Sequence, residues 1–302
     1  MKKRLVFMGT PQFSAKILKE LISIHDVVLV VTQADKRVGR NKELINSPVK
    51  KVALDYGLEL VQPNKLKNNQ EIVDLIANKK PDYIIVAAYG KILPSEILNI
   101  APCINTHASL LPLYRGASPI QSAILNGDKD SGVTLMLMDE GLDTGDILYQ
   151  EKITIENLNA NLVFDNMSKL SSKMLINFLD NPVEFTPKKQ DHSKATFTKI
   201  IKKEDGLIEL DNAKNIFCKY LAFYEWPNIF LSNGVKLCDI ELNEELSINQ
   251  KGLIQDIKKD YMILACSVGT LKVFKVQAPG KKILDIKSYL NGKRLKVGDF
   301  FV

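Results

Sequence analysis

Three short runs of strand-forming residues open the chain: 4–8 (RLVFM), 27–31 (VVLVV) and 83–88 (YIIVAA). A strand that is apolar along nearly its whole length has both faces covered, as in parallel sheets flanked by helices. Helical spacing lies between the runs. Phe13, Ile17, Leu18 and Leu21 mark one helix. Ser47 before Pro48 reads as an N-cap and first helical position, with Gly57 as that helix's stop. Leu60 and Val61 suggest another short strand, and residues 72–76 another helix. Repeated βα units of this kind predict an α/β fold, a doubly wound, Rossmann-like and mostly parallel sheet. A nicotinamide or flavin site at the first turn is not expected, because GTPQF replaces a GxGxxG pattern. Thr32 and Gln33 also stand where the ribose-binding acid would be.

Further on, residues 119–126 read as a helix. Residues 132–138 and 147–155 read as strands around a turn, and 162–179 as a long amphipathic helix. Polar, proline-bearing sequence follows at 181–194, the best linker in the chain. After it the pattern changes to one helix at 213–223 and then short strands. Asn233-Gly234, Lys251-Gly252, residues 258–260 and Gly269 separate those strands, which suits a small OB-like β-barrel. The expected division is therefore 1–190 and 206–302, with a linker about 181–205. Trp226, beside Pro227, is read as core packing, and base stacking with Tyr224 is the other reading.

A chain of 302 residues has room for these two domains. The N-terminal apolar run stops at Met8, unlike a secretory leader, and no run reaches membrane-spanning length. A cytoplasmic monomer is expected. Four scattered cysteines and three histidines form no ligand cluster, so no metal is expected. The net charge of +6 is gathered in two places. Residues 36–51 carry Lys36, Arg37, Arg40, Lys42, Lys50 and Lys51 against Glu43. Residues 281–296 carry Lys281, Lys282, Lys287, Lys293, Arg294 and Lys296 against Asp285. Two such patches can flank one polyanion or be two solvated faces.

The chemistry concentrates at 102–116, PCINTHASLLPLYRG, and at 141–146, GLDTGD. Side chains alternate along a strand, so Asn105 and His107 share a face near the strand's carboxyl end, where open α/β sheets bind ligands. An imidazole beside an amide donor can handle the charge and the proton of an addition to a carbonyl. Without that chemistry, His107 is a satisfied strand-end histidine. Asp139, Glu140, Asp143 and Asp146 are all candidates to orient the ring, and spacing does not choose among them.

CINTHASLLPLYRGASPIQSAI and GVTLMLMDEGLDTGDIL, with LVFMGTPQFS, SPVK, VAAYGKILP and QAPGKK, resemble the 10-formyltetrahydrofolate-dependent formyltransferases. Within that family the resemblance is to the tRNA-directed enzymes, over essentially the whole length. It implies a formyl transferase that moves the formyl group of 10-formyltetrahydrofolate, a cosubstrate, to the α-amino group of methionine on initiator tRNA. It implies Asn105 as oxyanion donor, His107 sharing that work, and Asp143 as the acid that orients and charges the imidazole. Folate binding falls on Tyr89, Gly90, Ile92 and Leu93, and on Ser109, Leu110, Leu111 and Pro112. tRNA binding falls on Arg37, Arg40 and Lys42 of a long basic loop, and on Lys281 and Lys282 of an OB-like C-terminal domain. Ala34 and Glu43 depart from that loop's usual pattern of proline and basic residue. A relative acting on an amino sugar nucleotide or glycinamide ribotide, or a formylfolate hydrolase, would share the same trio. A non-catalytic RNA-binding protein would not need it.

Overall fold

The computed structural model describes residues 1–38 and 43–301. The chain divides into two compact units, Met1–Pro119, Asp130–Thr154 and Phe164–Lys199 in one, Ile120–Lys129, Ile155–Val163 and Ile200–Val302 in the other.

The first unit begins β1 (Arg4–Gly9), α1 (Gln12–Ile24) and β2 (Asp26–Val31). A short hairpin, β3 (Lys36–Val38) and β4 (Glu43–Ile45), precedes α2 (Pro48–Asp55) and β5 (Leu60–Val61). Next come α3 (Gln70–Asn78), β6 (Tyr83–Ala87), α4 (Ser95–Leu98), β7 (Cys103–His107) and β8 (Arg115–Gly116). After α5 (Pro119–Leu125), β9 (Asp130–Leu137) and β10 (Ile147–Thr154) form an antiparallel pair, followed by α6 (Ala160–Asp180) and β11 (Phe197–Thr198).

Seven strands make one sheet in the order β10-β9-β7-β6-β1-β2-β5. The pairs from β5 to β7 are parallel; β9 runs antiparallel to β7. Leu5, Val6, Phe7 and Met8 are all fully buried, as an apolar strand covered on both faces must be. Each buried aliphatic side chain of this kind contributes roughly 1.5–3 kcal/mol. Helix starts follow local chemistry: the Ser47 hydroxyl accepts the Lys50 N–H, with Pro48 at the first helical position, and Asn69 accepts the Ile72 N–H. The strand order reverses between β1 and β6, so their carboxyl ends flank the crevice where such sheets take ligands.

The second unit continues with α7 (Ala213–Ala222), β12 (Ile229–Phe230), β13 (Lys236–Ile248), β14 (Ile254–Ile257), β15 (Met262–Ala265) and β16 (Val268–Gln277). It ends in β17 (Leu284–Asp285) and α8 (Ile286–Lys293). Its strands form an antiparallel sheet, β12-β13-β16-β15-β14, with β17 added on β16. Among the described residues the sheet does not close into the barrel expected from the strand spacing: its path ends at β12 and β14, which do not pair with each other. Register shifts along β13 interrupt its ladder with β16. Trp226 also departs from expectation. It is 55% exposed, not in the core, which Leu237, Ile240, Leu264, Leu271 and Val273 fill.

Candidate active site

Alternation along β7 sets the site. Thr106 turns to α6, its hydroxyl donating to Ser171 Oγ at 2.9 Å. Asn105 and His107 lie on the opposite face, both buried. The loop between β9 and β10 brings Asp143, 38 residues beyond Asn105, to them. One oxygen, Oδ1, lies 3.5 Å from Asn105 Nδ2 and 3.7 Å from His107 Nδ1. The other, Oδ2, accepts the Gly116 N–H at 2.8 Å. His107 Nε2 lies 2.9 Å from the Tyr114 carbonyl. A carbonyl only accepts, so Nε2 carries a proton there, and the charge and protonation of Nδ1 are left to its surroundings at Asp143. Of the four acids in the loop, Asp143 is the one whose carboxylate meets β7. Asp139 is turned back on the loop, accepting the Gly141 N–H at 3.0 Å and the Thr144 hydroxyl at 2.6 Å.

The loop geometry is narrow. Asp143 has φ 54°, a left-handed conformation rare for a residue with a side chain. Gly145 has no room for one: a Cβ there would lie 1.7 Å from the Leu137 carbonyl oxygen.

The SLLP turn is pinned from the sheet. Thr134 donates to the Ser109 carbonyl at 2.6 Å and accepts the Leu111 N–H at 3.1 Å. Gln150 Nε2 donates to the Leu111 carbonyl at 2.8 Å. Ser109 is fully buried, its hydroxyl spent on the Leu113 carbonyl at 2.6 Å. Leu111 is buried, and Leu110 and Pro112 are half-buried.

After β6 the chain passes through left-handed Ala88 and Gly90, both exposed. A Cβ on Gly90 would stand 2.7 Å from Gln33 Nε2. That amide donates to the Tyr89 carbonyl at 2.6 Å. The Tyr89 ring itself points into the core with Leu93, and burial pushes its hydroxyl up to about 12. Ile92 is exposed. Of the residues expected to line a ligand, Ser109, Leu111, Tyr89 and Leu93 therefore keep their side chains inside the protein. Gly90 and Ile92 are exposed and Leu110 and Pro112 half-buried, so these four keep accessible surface. A polar chain continues from Gln33: Gln62 Nε2 donates to the Gln33 carbonyl at 2.8 Å and to Asp35 at 2.9 Å, and Lys50 pairs with Asp35 at 2.5 Å.

Arg40 and Lys42 lie outside the described residues, and of Arg37 only its backbone place on β3 is described. Lys281 and Lys282 are exposed in the turn between β16 and β17, and neither forms an ion pair among the described residues. A separate cavity of about 980 Å³ opens over α1, α6 and β10. In it Lys169 lies 2.8 Å from Asp165 and Lys173 3.7 Å from Glu151, and none of the trio lines it.

Three residues missed by sequence reasoning support the trio. Gly116 supplies the N–H to Asp143, and Gln190 donates to the Asp143 and Gly145 carbonyls at 3.0 and 2.7 Å. Arg115, buried, donates to Gln190 Oε1 at 2.6 Å. Arg115 and Gly116 sit inside the YRG of the central motif, whereas Gln190 lies in a stretch whose polarity and prolines read as linker.

An amide donor, an imidazole and a carboxylate at the carboxyl edge of a doubly wound sheet can stabilise charge on a carbonyl oxygen and carry a proton. The chain belongs to the formyl transferase family: the family's formyl transferase model matches residues 2–179, and its C-terminal domain model matches residues 200–294. Relatives that match over nearly their whole length include proteins named methionyl-tRNA formyltransferase. The Campylobacter lari protein is 54% identical over 98% of this chain and 99% of its own. That of Sulfurimonas denitrificans is 47% identical with the same coverage. Among solved structures, a sugar 3N-formyl transferase in the presence of dTDP and 5-N-formyl-THF superposes with a TM-score of 0.66. It is 18% identical, covering 93% of this chain and 99% of that one. HypX from Aquifex aeolicus in complex with tetrahydrofolic acid gives 0.63 at 16% identity, over 98% of this chain and 48% of its own. At these identities the two structures share the fold.

Proposed function

We infer that the chain transfers the formyl group of 10-formyltetrahydrofolate to the α-amino group of methionyl initiator tRNA, yielding formylmethionyl-tRNA for translation initiation. The observation that carries the chemistry is the convergence of Asn105, His107 and Asp143. The acceptor rests on near-complete coverage of relatives named for that reaction.

The accessible segments suit the donor. A pterin is flat and rich in hydrogen-bonding groups, and the accessible surface beside the trio is largely backbone: Ala88 to Gly90, and the SLLP turn. Gly90, at φ 76°, is exposed and carries no side chain over its backbone. The bound folate supplies an activated formyl group. The chain's own residues do the rest. Asn105 Nδ2 donates to the carbonyl oxygen as charge develops on it, the role whose loss is most costly in acyl transfer. His107, its Nε2–H held by the Tyr114 carbonyl, presents Nδ1 to the reacting groups. Asp143 compensates the charge of the ring. As the new N–C bond forms, the formyl C–N10 bond breaks, and the proton the amine loses passes through the His107–Asp143 pair to N10 of the departing tetrahydrofolate.

On this reading residues 1–190 are the catalytic domain and 206–302 an OB-like tRNA-binding domain, joined by a linker about 181–205. Arg37, Arg40 and Lys42 then meet the acceptor end, and Lys281 and Lys282 the phosphate backbone. The enzyme works in the cytoplasm as a monomer. Incubation with 10-formyltetrahydrofolate and, separately, methionyl initiator tRNA, free methionine and an amino sugar nucleotide tests the assignment. A formyl mass increase on the aminoacyl-tRNA alone is the expected result. Formylation of the sugar would overturn it.

A further inference from the structure

The Arg115–Gln190 pair carries a role that nothing in the trio supplies. Arg115 is 3% exposed, yet no carboxylate lies within ion-pair distance among the described residues. Its guanidinium instead spends Nε and one terminal nitrogen on a single neutral oxygen, Gln190 Oε1, at 3.3 and 2.6 Å. The same terminal nitrogen stands 3.0 Å from His192 Nδ1, which must accept. A buried cation answered only by neutral groups is an expensive arrangement, since an opposite charge would compensate it better.

The other end of Gln190 explains why a glutamine stands there. Its Nε2 donates to two backbone carbonyls, Asp143 at 3.0 Å and Gly145 at 2.7 Å. Amide oxygen and nitrogen are told apart by their partners. Here a donor-only guanidinium faces one end and acceptor-only carbonyls face the other, so a single orientation satisfies all of them. Glutamate would pair better with Arg115 but would set a carboxylate against two carbonyl oxygens. Lysine or methionine would lose the acceptor. Gln190 is thus an adapter that turns a fixed positive group into a double hydrogen bond on the Asp143 loop.

That loop needs holding. Asp143 is left-handed at φ 54°, a strained state that persists only where the surroundings over-determine it. Its carboxylate must keep one oxygen on the Gly116 N–H and the other at His107 and Asn105. A second tie comes from the same side: β11 pairs in parallel with β8, with Phe197 opposite Arg115 and Thr198 opposite Gly116. Residues 190–198 therefore brace both the carboxylate's loop and the backbone group that anchors it.

We propose that Gln190, oriented by Arg115, is a positioning residue for formyl transfer that holds the Asp143 carboxylate in its reactive placement. The proposal rests on the reading of Asp143 as part of the catalytic trio. Gln190→Glu is the discriminating variant. It keeps, and strengthens, the bond to Arg115 while removing the donor to the loop. Steady-state kinetics with 10-formyltetrahydrofolate and methionyl initiator tRNA, and urea denaturation, are measured on wild type, Gln190→Glu, Gln190→Met and Asp143→Asn. The expected result is a Gln190→Glu enzyme with an unfolding midpoint at or above wild type and kcat lowered on the order of 10²-fold, the scale of an ångström's misplacement. KM for either substrate stays unchanged, because the residue touches neither. A stable Gln190→Glu with wild-type kcat overturns the proposal, as does a change confined to KM. If Gln190→Glu does not fold, Gln190→Met, of similar shape and without an amide, decides in the same way. Loss of the fold in both assigns the pair to structure alone and overturns the proposal. A wild-type rate in Asp143→Asn is the separate failure of the trio reading, and a slow Gln190→Glu beside it would show that the loop does not act through Asp143.

Discussion

The carboxylate of Asp143 stands 3.7 Å from Nδ1 of His107 while its second oxygen is held by the Gly116 N–H at 2.8 Å. Anchoring one oxygen on backbone leaves the other free to answer charge on the ring. Asp143→Asn tests this division. The amide can still accept the Gly116 N–H, but its NH₂ then faces Asn105 Nδ2 and His107, with no negative charge. Turnover should fall on the order of 10²-fold or more while the fold persists, measured as single-turnover formylation alongside far-UV circular dichroism.

Asn105 is buried on the same strand face and has donor hydrogens to spare. Asn105→Ala should lower kcat by roughly 10²–10³, the effect of losing one oxyanion donor, with folate affinity nearly unchanged. Kinetics paired with fluorescence titration of folate separate the two quantities. A near-wild-type kcat would remove Asn105 from the chemistry.

Gly90 has φ 76°, and a Cβ there would crowd Gln33 Nε2 at 2.7 Å. Gly90→Ala should destabilise by ~1–3 kcal/mol, through the left-handed backbone and the clash together. Adding Gln33→Ala should return the steric share and leave the backbone share. Urea denaturation of both single variants and the double variant completes the cycle, and strict additivity would show that no clash exists.

His25 is buried, accepts the Lys3 N–H through Nδ1 at 3.5 Å, and has no partner for Nε2 among the described residues. Burial lowers its pKa from 6.5, with Asp180 opposing. The unfolded chain therefore binds the proton more readily, so stability falls as pH drops below about 6.5 until the folded His25 also protonates. Denaturation midpoints of wild type should decline over that window more steeply than those of His25→Gln. Parallel curves would show that His25 does not contribute.

Lys281, Lys282 and Lys293, all exposed, are proposed to meet phosphates. Replacing all three by Ala should weaken initiator and elongator tRNA alike. The slope of log affinity against log salt should fall by about one for each phosphate that a lysine no longer neutralises. Filter binding over a salt series reads this, and an unchanged slope would make the cluster a solvated face.

Local order was legible in the residues themselves. The apolar runs became buried parallel strands, Ser47-Pro48 became a capped helix start, and the Asn-x-His spacing put Asn105 and His107 on one face. Each of these depends on backbone periods and on groups only a few residues apart, which a one-dimensional pattern records. Asp143 was selected only through its motif, since four acids lie in that stretch and spacing treats them alike. Tertiary structure decided the rest. It turned the Tyr89 ring inward and left Trp226 outside, because burial depends on what the rest of the chain packs against a side chain. Gln190 passed for linker because polarity and nearby prolines say only that a segment is irregular. That its amide bridges a buried arginine and two carbonyls near Asp143 follows from where loops distant in sequence meet at the edge of the sheet. Hydrogen-bond partners separated by 75 and 47 residues leave no period in the sequence to read.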